Sequence, residues 1–357
     1  MHTLISKIGS LKRNWQYCLP FQKRLGYVGW NGHNNLGDEA ILEASKNLFP
    51  DFKLVNFKYT AKIEKLEKYF GKLYDSVIFG GGTVINEPGY LEKIKLALDN
   101  GYKVFILGAG VRNPAFWDRH DERNNCLDEF IPNLKKCAFV GIRGPVSMKI
   151  LKENGFHNAS ITGDTALLFA QKEIKRKKQR KKIGINFGAS AGKVWGREED
   201  ILQFIIKISG LIARNGWEIT FVPVWDNDIG FIEKAAKQLN GKVKIFYDYK
   251  SLSKTLDLLN TFDVFIGQKL HSVVLALCAY TPSIMLEYRP KCHDFMCSME
   301  LENFNMRTDA LSSNKLLNMV DELYINSSHY QKSIFKKVNE YKNALESAAQ
   351  IIRKKIC

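Results

Sequence analysis

Short apolar runs alternate with amphipathic stretches over residues 26–170, and the alternation restarts after residue 182. In the first half "RLGYVGW", "FKLVNF", "DSVIFGGG" and "KVFILGAGV" have strand length, while "NLGDEAILEASKNLF" and "GYLEKIKLALDNG" carry apolar residues at helical spacing. "CAFVGIRGPVSMKILKENGF" reads as strand, turn and helix, and "ASITGDTALLF" as a short strand running into a helix. In the second half "KKIGINFGAS", "WEITFVPVW", "KVKIFYDY", "DVFIGQKLH" and "TPSIMLEY" read as strands. Between them, "DILQFIIKISGLIARNG", "IGFIEKAAKQLNG" and "SLSKTLDLLNTF" read as helices. Strands that alternate with helices predict parallel sheets covered on both faces. The tail repeats apolar residues at Ile334, Val338, Tyr341, Leu345, Ala348 and Ile352, the stripe of a helix buried on one side.

The pattern predicts an α/β protein of two Rossmann-like, doubly wound domains facing a cleft. The segments are 1–25 (a basic start), 26–170 (first domain), 171–182 (basic linker), 183–325 (second domain) and 326–357 (C-terminal helix). Ligands of such sheets bind beyond the carboxyl ends of the strands, so the residues there are the candidates.

After the first strand, "GWNGHNNLGDEAI" makes a glycine-rich loop with Gly37, and Asp38 opens the next helix. Asp38 suits either helix capping or a place in the cleft. "FGGGTVIN" offers Gly80, Gly81 and Gly82, followed by Thr83 and Asn86. Bare N–H groups there suit an anion or a sugar, and close packing is the structural alternative. Arg112 sits at the mouth of the next strand. In "GIRGPVSMKIL", Arg143 ends a strand, Pro145 starts a helix and Ser147 lies in its first turn. Arg143 suits an anionic ligand, or a carboxylate of the protein. Asp164 in "TGDTALLF" suits a helix cap first and catalysis second. In the second half, Lys269 and His271 in "GQKLHS" and Arg289 and Lys291 in "LEYRPKCHDF" follow strands. With Arg143 they predict a cationic cleft and an anionic ligand.

Composition narrows the classes. Residues 171–182 and 331–357 carry +12 of the net charge of +16, so the excess sits in a linker and a tail. No nucleic-acid module accompanies it, and a nucleic-acid partner is not expected. A peripheral contact with anionic membrane or a solvated linker accounts for it equally well. Seven cysteines without a C-x-x-C pair predict a reduced interior and no metal site. No secretory leader and no membrane span are legible, which predicts a cytoplasmic protein at most peripheral to the inner face of the membrane.

Taken in order, "GHNNLGDEAIL", "FGGGTVIN", "GAGVRNPAFW", "GIRGPVSMKIL", "GDTALLF" and "GQKLHSVVLALCAYTPSIMLEY" resemble the polysaccharide pyruvyl transferase family over about residues 26–295. The resemblance implies a GT-B-like fold and transfer of the pyruvyl group of phosphoenolpyruvate to a sugar of a bacterial cell-surface polysaccharide, as a ketal. The partners it implies are phosphoenolpyruvate and a glycan or lipid-linked oligosaccharide acceptor, with no cofactor. On this reading His271 is the acid–base group. Lys269, Arg143, Arg289, Lys291 and Ser147 bind the donor, and the loops at Gly37–Asp38, 80–86, Arg112 and Asp164 border the acceptor. The family usually has Arg where this chain has Lys269. That departure keeps a second class open, a GT-B glycosyltransferase using a CMP- or UDP-linked sugar.

Overall fold

The computed structural model describes residues 23–117, 125–174 and 180–356. The basic start up to residue 22 and linker residues 175–179 lie outside the described residues.

The apolar runs become the strands of two parallel sheets. The first sheet contains β1 (Arg24–Val28), β2 (Lys53–Asn56), β3 (Ser76–Gly80), β4 (Thr83–Ile85), β5 (Val104–Val111), β6 (Phe139–Ile142) and β7 (Ser160–Ile161). Its order is β2-β1-β3-β5-β6-β7, with β4 paired to β5. The second contains β8 (Lys182–Asn186), β9 (Glu218–Phe221), β10 (Val243–Ile245), β11 (Val264–Gly267), β12 (Ser283–Glu287) and β13 (Asn305–Arg307). Its order is β10-β9-β8-β11-β12-β13. The strand order reverses beside β1 and β3 in the first sheet and beside β8 and β11 in the second, and such switch points open a crevice for ligand.

The first half carries helices α1 (Leu36–Leu48), α2 (Ala61–Phe70), α3 (Pro88–Asp99), α4 (Pro114–Trp117), α5 (Leu127–Leu134) and α6 (Pro145–Glu153). The second carries α7 (Glu198–Arg214), α8 (Ile229–Gln238), α9 (Leu252–Leu259), α10 (Leu270–Cys278), α11 (Pro290–Ser298), α12 (Ser313–Ile325) and α13 (Ser327–Ile356). Their starts follow local chemistry. Asn35 accepts from Gly37 N at the head of α1, and Ser251 accepts from Lys254 N at the head of α9. Pro145 stands in the first turn of α6, where its missing N–H costs nothing.

Two local expectations change. "TALLF" forms a 3-10 turn, Thr165–Phe169, because Asp164 Oδ1 accepts from Ala166 N and the segment is wedged in the core. The strand expected through "GQKLH" stops at Gly267, and His271 stands in the first turn of α10.

One of the core clusters spans both halves. Leu36, Ala40 and Ile41 of α1 and Ala166 and Leu167 pack in the same cluster as α10 and the second sheet. Helix α13 crosses both halves. Ile334 and Val338 join the core of the second sheet, while Leu345, Ala348, Ala349 and Ile352 cover β1, β3 and β5 of the first. Tyr341 of the expected stripe is half-buried and donates its hydroxyl to Ser298 O at 2.9 Å. The apolar stripe of the tail is therefore used inside the protein. Among the described residues no helix is long and apolar enough to cross a membrane.

Candidate active site

The site is built where the switch points of the two sheets meet. Beyond β11 the chain turns through Gln268 and Lys269 into α10, whose nine residues are all buried. Asn186, at the end of β8, holds the turn: its Oδ1 accepts from Lys269 N at 3.0 Å. Gln268 Oε1 accepts from Gly188 N at 3.0 Å. A helix buried all round cannot rotate without loss of packing, so the imidazole of His271 is fixed in direction.

That direction is towards the first half. His271 Nε2 lies 3.7 Å from Asp164 Oδ2, and Arg143 Nη1 lies 3.5 Å from the same oxygen. Arg143 comes from the end of β6, Asp164 from the turn after β7, and His271 from the other sheet. Burial raises the Asp164 carboxyl, but contact with His271 and the Arg143 charge outweigh it and hold it below its ordinary value. Arg143 and Asp164 are fully buried, and none of the three guanidinium nitrogens has a hydrogen-bond partner among the described residues. Buried donors are nearly always paired, so an Arg in this state marks a place for an anionic acceptor of hydrogen bonds. Gly110 on β5 makes the room: a Cβ there would strike Arg143 Nη2.

Asp38 belongs to this group rather than to the cap of α1. The cap is Asn35, and Glu39 is occupied by Gly32 N at 2.5 Å. The Asp38 carboxyl is pushed above its ordinary value by burial, against the opposing pull of His271 and Lys291. Lys291, half-buried at the start of α11, lies 5.3 Å over the Tyr288 ring and is in no ion pair among the described residues. Arg143, Asp164, His271, Asp38 and Lys291 thus make one mixed cluster of two cations, two carboxylates and an imidazole.

Other candidates have structural partners. Ser147 donates to Asp294 Oδ2 at 2.6 Å and accepts from Val111 N at 2.9 Å. Asp294 Oδ1 also accepts from Val146 N and Ser147 N, at 2.9 and 3.1 Å. The start of α6, expected to favour a ligand anion, is closed by a carboxylate of the second half. Lys269 bonds Ser190 Oγ at 2.9 Å and the Ala189 carbonyl, and lies 3.7 Å from Asp228. It holds the loop after β8. Arg289 donates to Lys193 O and Ser190 O at 2.7 and 3.0 Å. Asn86 is a buried turn residue that bonds Arg112 O and Cys126 N. Arg112 pairs with Glu87 at 3.3 Å. Gly80 packs on Tyr27, Gly81 and Gly82 have φ of +57° and +70°, and Thr83 starts β4 half-buried. These three glycines turn the chain sharply beside α1.

The sequence reading missed Asp294 as the partner of Ser147, and it missed Trp117 and Lys193. Trp117 packs against Arg112 and Arg289 across the cleft. A Trp at the end of "GAGVRNPAFW" and a Lys ending the small-residue run "GASAGK" were the available signals.

The family model described as "Polysaccharide pyruvyl transferase" matches residues 35–290. The chain belongs to the polysaccharide pyruvyl transferase family. The match begins at the cap of α1 and ends at the start of α11, so the family's span contains Gly37, Asp38, Arg143, Asp164 and His271. Membership in this family places the chain among transferases. No curated protein matches the chain. Solved structures match in fold. UDP-N-acetylglucosamine 2-epimerase from Rickettsia bellii is 13% identical, with 94% of this chain and 97% of that chain covered and a TM-score of 0.58. Os79 from O. sativa, solved with U2F and trichothecene, is 10% identical, covering 92% and 100%, with a TM-score of 0.58. A UDP-glucosyltransferase from Polygonum tinctorium is 12% identical, covering 92% and 98%, with a TM-score of 0.52. This pyruvyl transferase family member therefore has the GT-B-like arrangement of two Rossmann-like domains.

Proposed function

We propose that the protein transfers the pyruvyl group of phosphoenolpyruvate to two hydroxyls of one sugar in a polysaccharide precursor, giving a cyclic ketal and inorganic phosphate. The observation that carries this reading is Arg143, a fully buried guanidinium with unpaired donors, set beside a histidine from the opposite sheet.

The donor carries a carboxylate and a phosphate, which require two cations. Arg143 suits the carboxylate, because its planar fork can make two parallel hydrogen bonds. Lys291 suits the phosphate as an ammonium in no ion pair among the described residues. Protonation of the methylene carbon makes the central carbon electrophilic, and the first sugar hydroxyl adds there. The second hydroxyl then displaces phosphate from the same carbon. Two hydroxyl protons are released; one restores the proton given to the methylene carbon, and the other leaves with phosphate. His271 is the group that gives and takes these protons, since imidazole works in both directions near neutral pH. Asp164 orients the ring through Nε2 and balances the charge of Arg143. Asp38, whose carboxyl burial raises above its ordinary value and whose charge interacts with His271, suits the second proton.

The glycosyltransferase alternative asks for a base and ribose site in the second half, and the aromatic ring of Trp225 and the carboxylate of Asp226, after β9, are the residue types that suit one. Trp225 donates to His33 O at 3.0 Å, and Asp226 bonds Asn34, Tyr249 and Lys250. Both are committed to holding the two halves together. Calorimetric titration with phosphoenolpyruvate, CMP and UDP tests the donor. Phosphoenolpyruvate binding that is lost in Arg143→Lys supports pyruvyl transfer, and binding of CMP or UDP alone rejects it.

A further inference from the structure

Among the described residues three cations from both halves of the protein gather round one indole. The Arg112 guanidinium carbon lies 4.1 Å from the centroid of the Trp117 ring, Lys193 Nζ 5.3 Å and the Arg289 guanidinium carbon 5.4 Å. Arg112 comes from the end of β5, while Lys193 and Arg289 come from loops at the ends of β8 and β12. The cluster is built rather than incidental. Two backbone carbonyls, Lys193 O and Ser190 O, fix Arg289. Arg112 is nearly fully buried, and its Nε has no hydrogen-bond partner among the described residues.

Charge is out of balance here. Among the described residues Glu87, 3.3 Å from Arg112, is the one carboxylate in ion-pair contact with any of the three. Cation–π contact with Trp117 offsets part of the mutual repulsion. Among the described residues two positive charges remain for a ligand to neutralise. A carboxylate sugar would neutralise one. A phosphate monoester or a diphosphate would neutralise both, and would bridge Arg112 of one half to Lys193 and Arg289 of the other.

We infer that the Arg112–Trp117–Lys193–Arg289 cluster is a second anion subsite, which takes the phosphate or diphosphate group of a phosphorylated sugar acceptor. As a statement about the acceptor this rests on the pyruvyl-transfer reading; as a statement about anion binding it does not. Arg289 and Arg112 are held in place before the ligand arrives, which lowers the ordering cost of binding. The subsite adjoins the donor cluster, since Arg289 and Lys291 lie over the same Tyr288 ring at 5.1 and 5.3 Å, and Arg112 and Lys193 are the cations that set it apart.

Lys193→Gln is the informative variant, since Lys193 is half-buried and in no ion pair among the described residues, so its folding is not at risk. Pyrophosphate is titrated into the wild-type protein, Lys193→Gln and Lys291→Ala, with binding followed by calorimetry. The subsite predicts a loss of about tenfold or more in affinity in Lys193→Gln, one charged contact being worth roughly that factor. It predicts little change in Lys291→Ala. Equal affinity in wild type and Lys193→Gln overturns the subsite, as does a loss confined to Lys291→Ala. A second arm compares a nucleotide-diphosphate-linked glycan and a lipid-diphosphate-linked glycan with the same glycan free. A lower KM for either linked form that Lys193→Gln abolishes supports the subsite and names its source. No advantage for either form overturns the acceptor assignment. Absence of pyruvyl transfer with pyrophosphate binding intact rejects the donor reading and leaves the anion subsite standing.

Discussion

Gly37, in the first turn of α1, lies directly against the imidazole of His271, in the first turn of α10: a Cβ on Gly37 would overlap the His271 ring. The two residues belong to opposite halves of the protein. Their contact makes the position of the proposed acid–base group depend on how the halves are joined.

Gly37→Ala is therefore expected to displace His271 and lower kcat by about 10²-fold, the lower part of the range for loss of an acid–base group. Overpacking is expected to cost about 1–3 kcal/mol in urea unfolding, although Ala is the better helix former. The contact predicts strong coupling. In a His271→Gly background, which removes both ring and Cβ, the penalty of Gly37→Ala should nearly vanish. Additive effects of the two substitutions would rule out the contact.

Asp294 should hold the halves together. Its carboxylate accepts from Val146 N, Ser147 N and Ser147 Oγ across the cleft. Asp294→Ala removes a helix cap and leaves a buried hydroxyl unpaired, and should cost about 2 kcal/mol or more. Ser147→Ala removes one of the three bonds and should cost less. Equal unfolding midpoints for Asp294→Ala and the wild type in urea would contradict the assignment.

Asp228 should make stability depend on pH. Burial pushes its carboxyl up to about 6 from the ordinary 3.8, despite Lys269 at 3.7 Å and two backbone N–H donors. Between these values the folded protein keeps a proton that the unfolded chain has released. The stabilisation is present below the unfolded value and is lost as pH rises through about 6. The shift corresponds to on the order of 3 kcal/mol. Melting temperatures measured from pH 4 to 7 should show this loss in the wild type and a flatter profile in Asp228→Asn. Identical profiles would show that Asp228 is not the group responsible.

The two lysines should separate by role. Lys269 is lowered below its ordinary value by burial and is bonded to the loop at Ala189 and Ser190. Lys269→Met should destabilise the fold by about 2 kcal/mol or more, because Asp228 then loses its cation. Lys291→Ala should leave unfolding nearly unchanged and raise the KM for phosphoenolpyruvate by about tenfold or more. The reverse pattern would exchange their roles.

The sequence made local features legible and long-range partners illegible. Alternating apolar runs marked most strands of both sheets, and the spacing from Ile334 to Ile352 marked the buried face of α13. Pro145 and Ser251 marked helix starts, because capping depends on neighbours three or four residues away. Helix α2 was not legible, since Lys62, Glu64, Lys65, Glu67 and Lys68 break up its apolar residues. Strand β4 was not legible either, being three residues long after a glycine turn. Arg143 was open between a ligand and a protein carboxylate, and the fold supplies Asp164 while leaving its donors unpaired. Lys269 reads like a donor-binding cation in the chain, but Ser190, which occupies it, is brought near only by the pairing of β8 with β11.

Turnover of phosphoenolpyruvate by the intact protein tests the central claim most directly. Purified enzyme is incubated with phosphoenolpyruvate and candidate glycans, phosphate release is followed, and the glycan is examined by NMR for a pyruvate ketal. The account predicts phosphate and ketal in equal amounts with the wild type, and a rate lowered by about 10²–10⁴-fold in His271→Ala that remains folded at the assay temperature. Ketal formation at the wild-type rate in folded His271→Ala, or glycan extension by a nucleotide sugar without ketal, would contradict it.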